Sequence, residues 1–307
     1  MNSDEHLQSL QNLPWYYTVE LAPGVFSKGH EHGNVAVTRA LLRGVHFQGK
    51  RCLDVGTADG LIPILLSKQG AGEVVATDRA DNSTKISHLK SAYGAEFEYL
   101  PGRQIHELPS IFDASGDRFF DLVICSGVLY HMINPLGYLA LLRGLCRQGG
   151  LFLLETAAIQ LPEETLVFNS AGRFYGTLSN YFVPTTAWVD YALRMLGLRP
   201  LQVAFLGGQN RHECLRLAVL CRSEPLPVPL DPEDDWVHQP FHTDAFRDEA
   251  QIDWERLGAT KSDISCNETV SDPVSIVGSR SLYEAVAKGI QHKPKKDEFR
   301  LNFDSIM

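Results

Sequence analysis

Residues 51–60 read Arg-Cys-Leu-Asp-Val-Gly-Thr-Ala-Asp-Gly, and a further aspartate, Asp78, follows at the end of the next apolar run. The apolar residues before the first glycine predict a β-strand over 51–55, and the apolar spacing after the second glycine predicts a helix. A second strand, predicted over 73–77, ends at Asp78. Glycine at such a turn lets a ligand approach the backbone, which a Cβ atom would block. A carboxylate at the tip of the next strand can accept hydrogen bonds from a ribose, so the pattern predicts a nucleotide-type pocket at the carboxyl ends of parallel strands.

The spacing of the glycines narrows the choice of ligand. A dinucleotide fingerprint has the form G-x-G-x-x-G, whose second glycine admits a pyrophosphate. Here the glycines are Gly56 and Gly60, and Asp59 stands between them. Because an acid in the turn repels a phosphate and suits a zwitterionic ligand, we predict S-adenosylmethionine, with Asp59 holding its ammonium group directly or through water. A turn that merely links a strand to a helix, with Asp59 as a turn residue, is the alternative.

The composition is that of a soluble globular protein. The chain has 307 residues, 44% of them hydrophobic, and no apolar run of about 18 residues, so neither a transmembrane helix nor a membrane partner is expected. The acidic start lacks the apolar segment of a signal peptide. Six scattered cysteines without a C-x-x-C pair indicate buried thiols in a reducing cytoplasm, not a zinc site. A net charge of −9 disfavours broad nucleic-acid binding, and the oligomeric state stays open, with a homodimer as one alternative.

Strand and helix patterns alternate along the first half of the chain. Strands are predicted at 51–55, 73–77, 95–100, 119–125 and 150–155. Helices are predicted at 60–69, 83–93 and 136–146, with a short helical segment at 104–110. This alternation is typical of βαβ units and predicts a mainly parallel sheet. Two later strand patterns, 200–206 and 214–221, flank a Gly-Gly-Gln-Asn turn and are expected to pair antiparallel.

The flanking segments indicate an organisation in three parts. Residues 1–45 are predicted to form a cap over the active site, in which Asn34 caps a helix over 35–43. Residues 46–222 are predicted to form the cofactor-binding domain. Residues 223–307 begin as a proline-rich linker and continue as a C-terminal extension, interpreted as a lid, an oligomer contact or a partly disordered tail.

The alternation of strand and helix patterns stops after the fifth predicted strand. Residues 157–183 are polar and glycine-containing, which predicts a long loop, and long loops in compact domains are usually functional or disordered. A helix over 185–196 follows, opened by Pro184 and ended by Gly197. Proline at the start and glycine after the end are the expected asymmetry of a helix.

Three segments carry a resemblance to a known family. Residues 120–131 read F-D-L-V-I-C-S-G-V-L-Y-H, residues 149–156 read G-G-L-F-L-L-E-T, and residues 180–185 read N-Y-F-V-P-T. Together they resemble class I S-adenosylmethionine-dependent methyltransferases, and more narrowly the group containing the tRNA wobble-uridine (5-oxyacetate pathway) methyltransferase and carboxymethyltransferase. The resemblance covers roughly residues 13–222. It implies a doubly wound, Rossmann-like α/β fold with a seven-stranded, mostly parallel sheet, six strands parallel and the last antiparallel.

The resemblance also implies a set of cofactor contacts. Positions matching the two glycines form the cofactor turn, the position matching Asp78 binds the ribose, and those matching Ile105 and His106 lie near the adenine. Ser126 and Tyr130 match positions that line the cofactor and acceptor side. We therefore predict that the cofactor contacts a set of turn and strand-end residues, namely Asp54, Gly56, Thr57, Ala58, Asp59, Gly60, Asp78, Arg79, Ile105, His106, Ser126 and Gly127.

The chain departs from the carboxymethyltransferase of this group. That enzyme has a long N-terminal segment that is largely missing here, and it holds the extra carboxylate of its cofactor with a Lys, a Tyr and an Arg. Tyr130 and Arg216 match the last two, whereas the Lys position falls on Tyr17. Lys28 supplies the amine only if the register shifts. We therefore expect S-adenosylmethionine as the cofactor, keep carboxy-S-adenosylmethionine as the alternative, and count Tyr17 and Lys28 among the candidate substrate contacts.

The motifs and the cap supply the catalytic and substrate-binding candidates. His131 is a candidate general base because histidine titrates near neutral pH, and a histidine that only bonds a nearby loop is the alternative. Tyr130 is a candidate to bind the acceptor or shield the methyl group. His30 and His32 are expected to line the pocket, since an H-x-H metal site lacks an identifiable third ligand. Arg216 is expected either to bind a substrate carboxylate or phosphate or to face solvent.

These features predict a cytoplasmic S-adenosylmethionine-dependent methyltransferase that acts on a small molecule, at an oxygen or nitrogen atom. The acidic charge and the missing N-terminal segment favour this function over a tRNA wobble-uridine methyl- or carboxymethyltransferase, which is the first alternative. The second alternative is a protein that binds the cofactor without catalysis, because methyl transfer requires no fixed triad that a sequence could reveal.

Overall fold

Strands and helices alternate through most of the chain, which the computed structural model describes at residues 3–116, 118–174, 179–208, 214–225, 254–267, 274–276 and 281–305. The strands are β1 (Glu20–Ala22), β2 (Val25–Phe26), β3 (Val45–His46), β4 (Arg51–Val55), β5 (Glu73–Asp78), β6 (Glu98–Pro101), β7 (Phe120–Ser126), β8 (Cys146–Ile159), β9 (Leu166–Phe168), β10 (Phe182–Pro184), β11 (Leu198–Gly207), β12 (Cys214–Ser223), β13 (Ser265–Cys266) and β14 (Val274–Ser275). The helices are α1 (Ser3–Gln11), α2 (Gly33–Leu42), α3 (Leu61–Lys68), α4 (Ser83–Tyr93), α5 (Leu108–Ser115), α6 (Pro135–Arg143), α7 (Thr186–Met195), α8 (Trp254–Ala259) and α9 (Leu282–Lys288). Short 3₁₀ helices lie at Ile105–Glu107, Leu129–His131, Ser170–Gly172, Lys296–Phe299 and Phe303–Ser305. Within these described residues, no helix is long and apolar enough to span a membrane.

One sheet of eight described strands lies at the centre, in the order β14-β11-β12-β8-β7-β4-β5-β6. Strands β4 to β8 run parallel to one another, whereas β12 runs antiparallel to both β8 and β11. Six strands therefore point one way and β12 points the other, which confirms the seven-stranded sheet that the family resemblance implies. The two-residue strand β14 pairs antiparallel with the outer edge of β11 and adds an eighth strand, which the sequence pattern does not indicate.

Helices cover both faces of the sheet, which explains why its strands read as continuous apolar runs. Every residue of β7 is buried. Adjacent residues of a strand point to opposite faces. Cys52 and Leu122 therefore pack with α2, α3 and α4 on one face, while Leu53 and Val123 pack with α5, α6 and α7 on the other. Parallel strands acquire this double cover because their connecting helices lie on the faces of the sheet.

The prediction that Asn34 caps the first long helix is wrong. Helix α2 begins at Gly33, and His32 occupies the cap position without a side-chain hydrogen bond. Asn34 is buried within the helix, where its amide donates to the Tyr17 hydroxyl at 2.9 Å. The side chain thus joins the helix to the N-terminal segment instead of satisfying the backbone at the helix start.

The prediction of a continuous loop over 157–183 is also wrong. Strand β8 continues to Ile159, and β9 pairs antiparallel with β10, with Phe168 opposite Phe182. The start of α7 is set by Thr185, whose hydroxyl accepts from the backbone N–H of Trp188 at 3.1 Å. The chain therefore forms a separate two-stranded sheet between β8 and α7, in which the backbone groups of β9 and β10 pair with one another.

The N-terminal residues and the described part of the C-terminal extension pack on each other. A parallel bridge joins Val19 to Leu301, whose N–H donates to the Thr18 carbonyl oxygen at 3.2 Å. The Arg39 guanidinium on α2 donates to the Asp297 carbonyl oxygen at 2.9 Å. These contacts hold the described part of the C-terminal extension against the N-terminal residues and α2. The proline-rich linker predicted before the extension lies almost entirely outside the described residues, and the division into three parts stays a prediction.

Candidate functional site

A cavity of about 290 Å³ opens where the parallel strands end, the place where open α/β sheets bind their ligands. We call it the strand-end cavity. Its walls come from the residues that follow β4, β5, β6 and β7 and from the cap. It is lined by Val55, Gly56, Ala58, Thr77, Asp78, Arg79, Arg103, Gln104, Ile105, Ser126, Gly127, Val128, His131 and Met132, and by Tyr16, Tyr17 and Asn34.

The turn between β4 and α3 favours glycine at both of its ends. Gly56 and Gly60 have φ angles of 77° and 85°, in the left-handed region that favours glycine. A Cβ atom on Gly56 would lie 2.3 Å from the Val128 Cγ2 atom. Ala58 also has a positive φ, 49°, and its N–H donates to Asp78 Oδ2 at 2.8 Å. The turn therefore presents backbone to the cavity and is tied to the end of the neighbouring strand.

Asp78 joins the turn to its own strand end and lines the cavity. Its second carboxylate oxygen accepts from the Ala80 N–H at 2.8 Å. Each oxygen can accept a further hydrogen bond, so the carboxylate is still able to bind a diol. Arg79 and Ile105 line the cavity beside it. His106 is exposed and does not line the cavity, so the structure does not bring it to the predicted site.

Two buried polar atoms beneath the turn have no hydrogen-bond partner within the described part of the chain. They are Asp54 Oδ2 and Thr57 Oγ1, and they border a space of about 10 Å³ that Tyr17 and Ser126 also line. Burial raises the pKa of Asp54 to about 7. A nearby positive charge stabilises the charged form of such a carboxylate. These atoms therefore fit a ligand that brings N–H donors and positive charge, such as the ammonium end of an amino-acid cofactor.

Asp59 does not have the role that the turn pattern predicts. Its side chain is fully buried and lines neither the strand-end cavity nor the space beneath the turn. One carboxylate oxygen accepts from the backbone N–H groups of Tyr16 and Tyr17, at 2.7 and 2.8 Å. The other oxygen accepts from Lys85 Nζ at 2.5 Å. The interpretation of Asp59 as an ammonium ligand is therefore wrong, because its oxygens dock the cap on the turn.

A second cavity, of about 700 Å³, lies between the cap and the last strands. We call it the cap cavity. Tyr16, Asn34 and His131 line both cavities, so the two meet at these side chains. Its other lining residues are Glu31, His32, Gly33, Tyr130, Ser179, Asn180, Leu206, Gly207, Cys214 and Arg216.

A buried ion pair forms one wall of the cap cavity. Arg216 donates to the two carboxylate oxygens of Glu155, at 2.7 Å from Nε and 2.6 Å from Nη2. Glu155 is fully buried in β8, so removing its partner would leave a buried charge. Arg216 also donates to the Tyr130 hydroxyl at 3.3 Å, and burial raises the pKa of that phenol. The structure thus brings Tyr130 and Arg216 together but directs the guanidinium mainly at a protein carboxylate.

His131 lies at the junction of the two cavities with one ring nitrogen engaged. Its Nδ1 atom is 2.8 Å from the Ser179 carbonyl oxygen. Because a carbonyl only accepts, Nδ1 carries the proton, and the neutral ring keeps a lone pair on Nε2. Burial lowers the pKa of His131, and Arg79 and Arg216 lower it further, against the opposing effect of the Ser179 hydrogen bond. The imidazole is therefore neutral at neutral pH, which is the form that a general base requires.

The structure separates the other substrate contacts predicted in the cap. His32 lines the cap cavity and stacks on Tyr16, with ring centroids 4.1 Å apart, and burial lowers its pKa. His30 lines neither cavity. Lys28 is exposed and donates to Asn12 Oδ1 at 2.7 Å, so the register shift that would place Lys28 in the site is wrong. In the described ranges, no group of three or more His, Cys, Asp or Glu side chains could hold a metal ion.

The sequence patterns miss several residues that the structure places in or behind the cavities. Glu155 could have been suspected from the sequence, because an arginine in an apolar strand needs an acidic partner if it is buried. In the structure, Arg216 lies opposite Ala157 of β8, two residues beyond Glu155. No sequence signal marked Asn34 as a cavity residue, since a polar residue near a helix start is interpreted as a helix cap. Arg103 and Gln104 follow β6 and line the strand-end cavity, but no motif marks them.

Known proteins resemble this chain over more than half of its length. A family model described as a methyltransferase domain matches residues 30–198. A tRNA U34 carboxymethyltransferase of Alteromonas mediterranea is 30% identical over 192 residues, which cover 61% of this chain and 56% of that protein. A tRNA U34 carboxymethyltransferase of Pseudomonas aeruginosa is 28% identical over 192 residues, covering 62% of this chain and 57% of that protein. The chain spans little more than half the length of these curated relatives.

Solved structures share the fold at lower identity. The N-terminal domain of EvdMO1, in the presence of SAH and D-fucose, matches with a TM-score of 0.53 and 18% identity, covering 73% of this chain and 98% of that chain. The same domain with SAH bound gives a TM-score of 0.54 at 17% identity, with the same coverage. At this level of identity the likeness concerns the arrangement of strands and helices.

Proposed function

The chain belongs to the methyltransferase domain family, and we propose that it transfers a methyl group from S-adenosylmethionine to an oxygen or nitrogen atom of a small molecule. The observation that carries the proposal is the pair of cavities that share Tyr16, Asn34 and His131. The strand-end cavity lies over the glycine turn, and the cap cavity holds a neutral imidazole at its junction with the first. A donor in one cavity and an acceptor in the other would meet at these three residues.

The strand-end cavity suits S-adenosylmethionine in several respects. Gly56 offers backbone without a side chain, and Asp78 offers carboxylate oxygens to a ribose. Beside this cavity, in the space beneath the turn, Asp54 offers a buried carboxylate to the positively charged amino-acid end. Ile105 offers apolar surface to an adenine. When bound, the cofactor supplies a methyl carbon already activated by its sulfonium.

The residues at the junction of the two cavities position the acceptor and supply a base. His131 keeps a lone pair on Nε2, because its Nδ1 proton is directed to the Ser179 carbonyl oxygen. It can therefore take the proton that an attacking hydroxyl or amine loses, a contribution of about 10²–10⁴ in rate. Tyr16 and Asn34 line both cavities and restrict where an acceptor can sit. Holding two reactants in line is the main contribution that a protein makes to such a displacement.

The names of the curated relatives support a second candidate function, transfer of a methyl or carboxymethyl group to tRNA. Tyr130 and Arg216 match two of the three residues that hold the extra carboxylate in the carboxymethyltransferase group. Two observations disfavour a carboxymethyl donor. Lys28 lies outside both cavities, and Arg216 already pairs with Glu155. A methyl donor and a small acceptor remain the first candidate.

Calorimetric titration with S-adenosylmethionine and with carboxy-S-adenosylmethionine tests the donor. Tighter binding of S-adenosylmethionine is expected, and tighter binding of the carboxylated form would favour the second candidate. The protein is then incubated with methyl-labelled S-adenosylmethionine, in parallel with a small-molecule extract and with bulk tRNA. Label in the small-molecule fraction alone supports the proposal. Label in tRNA alone would favour the second candidate, and binding without transfer to either would favour a non-catalytic cofactor-binding protein.

A further inference from the structure

Residues that line the cap cavity carry buried polar atoms that no described protein group satisfies. Asn34 Oδ1 and Asn180 Oδ1 are buried and have no partner among the described residues. Their residues are 3% and 4% exposed, and both line the cavity. His32 lines it too, and its buried Nε2 atom likewise has no partner in the described ranges. Since a buried polar atom without a partner is costly, three of them on one cavity point to a ligand that supplies the partners.

Two of the donors that line the same cavity, the Asn34 amide and the Arg216 guanidinium, are directed at protein groups. The Asn34 amide nitrogen donates to the Tyr17 hydroxyl at 2.9 Å, which leaves its oxygen for a ligand. Arg216 is the one Lys or Arg among the described lining residues, and its guanidinium forms two hydrogen bonds with Glu155. The exposed Glu31 adds a negative charge to the lining. The charges of the cavity therefore disfavour an anion.

We propose that the cap cavity selects an uncharged acceptor with at least two N–H or O–H groups, one bound by Asn34 Oδ1 and another by Asn180 Oδ1. This inference rests on the proposed function, because it takes the methyl acceptor to occupy this cavity. Asn34 and His131 line both cavities, so the group that Asn34 binds is the one placed at the junction, next to the base. A ring with adjacent hydroxyl or amino groups has the required chemistry.

Four small aromatic probes test the proposal on the wild-type protein loaded with S-adenosylhomocysteine. Catechol and 2-aminophenol carry adjacent donors, 1,2-dimethoxybenzene carries none, and benzoate carries a negative charge. Ligand-observed NMR titration gives the Kd of each probe. We expect catechol and 2-aminophenol to bind about tenfold more tightly than the other two, which is the effect of losing a hydrogen bond to a buried group.

Variants of Asn180 locate the effect in the cavity. Asn180→Leu removes the acceptor oxygen and should weaken catechol binding about tenfold. Asn180→Asp keeps an acceptor oxygen and should retain catechol binding. Asn12→Leu is the matched control, because Asn12 lies in the cap, lines neither cavity and accepts from Lys28. This control should bind all four probes like the wild-type protein.

The outcomes separate a failure of this inference from a failure of the proposed function. Equal binding of the four probes, tighter binding of benzoate, or no binding of catechol to the loaded protein would overturn the inference while leaving the cofactor site intact. A protein that does not bind S-adenosylhomocysteine in calorimetry would remove the proposed function itself. If Asn180→Leu does not fold, the ranking of the four probes on the wild-type protein still decides.

Discussion

The strand-end cavity and the cap cavity share three side chains, yet the chain builds them in different ways. Most of the strand-end cavity comes from short segments that directly follow β4, β5, β6 and β7. The cap cavity combines the N-terminal cap, the exit of β7, the approach to β10, and strands β11 and β12. The first cavity therefore depends on local turns at one edge of a sheet, whereas the second depends on the packing of segments far apart in the chain.

The two cavities also differ in how their charges are used. Asp78 at the strand-end cavity and Asp54 beneath the glycine turn form no salt bridge with a described Lys or Arg, and burial, with a contribution from the Asp78 charge, raises the Asp54 pKa to about 7. In the cap cavity, the buried Glu155 is neutralised by Arg216, and amide oxygens are left as the unsatisfied groups. One cavity is thus suited to a ligand that carries positive charge, and the other to a neutral ligand that donates hydrogen bonds.

The largest expected effect tests whether the junction of the cavities carries the proton transfer. His131→Gln removes the basic nitrogen but keeps an amide that can donate to the Ser179 carbonyl oxygen. We expect kcat/KM for methyl transfer to fall about 10²–10⁴-fold. Steady-state kinetics with the acceptor identified by the labelling experiment measure this ratio.

The pH profile of the same reaction separates a base from a structural histidine. Burial lowers the pKa of His131 below its ordinary value of 6.5, so the imidazole is protonated only in more acidic solution. In the wild-type protein, kcat/KM should rise with pH below 6.5 and reach a plateau before neutral pH, and His131→Gln should lack this rise. A variant that keeps the rise would assign the base to another group.

The next prediction tests the cap cavity, which depends on contacts between distant segments. Arg216→Leu leaves the fully buried Glu155 carboxylate without its ion-pair partner. We expect the free energy of unfolding to fall by about 3–5 kcal/mol, as when one partner of a buried pair is removed. The double variant Arg216→Leu with Glu155→Leu should recover most of the loss, because it removes both charges. Denaturant unfolding measures both values, and a single variant as stable as the wild type would show that the pair does not support this wall.

A smaller effect is expected at the strand-end cavity, which depends on local turns. Asp78→Ala should weaken S-adenosylmethionine binding by about 1–3 kcal/mol, because hydrogen bonds to a charged group are lost. Asp81→Ala is the matched control, since it removes the same charge from the same loop and Asp81 is fully exposed. Calorimetry gives both affinities. Equal losses in the two variants would mean that Asp78 acts through net charge and does not bind the ribose.

The smallest effect tests the boundary of the site. Lys28→Met should change the affinity for S-adenosylmethionine and for its carboxylated form by less than about 0.5 kcal/mol, as for a surface substitution. The reason is that Lys28 is exposed and bonds Asn12 outside both cavities. A selective loss of affinity for the carboxylated form would contradict this placement and favour the carboxymethyl donor.

The sheet and its helices could be predicted because their signals are local. The helix predicted over 83–93 is observed at Ser83–Tyr93, and the strand predicted over 51–55 at Arg51–Val55. The helix predicted over 136–146 ends earlier, at Arg143, because Cys146 pairs with Phe120 at the start of β8. Apolar spacing alone does not distinguish the end of a buried helix from the start of a buried strand.

The candidate site could be predicted only in part. Gly56 and Asp78 have a spacing that marks them, and the structure places both at the strand-end cavity. Asp59 and Asn34 are misinterpreted, because their partners lie 43 and 17 residues away, at the Tyr16 N–H and the Tyr17 hydroxyl. A polar side chain takes its role from what packs against it, and a local pattern does not contain that information.

By itself, the sequence determined the order of the seven main strands and their connecting helices, the glycine turn and the carboxylate at the next strand end, because periodicity and turn chemistry act over a few residues. The tertiary structure decided that Asp59 docks the cap, that Arg216 pairs with Glu155, and that Lys28 lies outside the site. Each of these outcomes depends on contacts between distant segments. Burial and ion pairing there decide which charged groups stay available to a ligand.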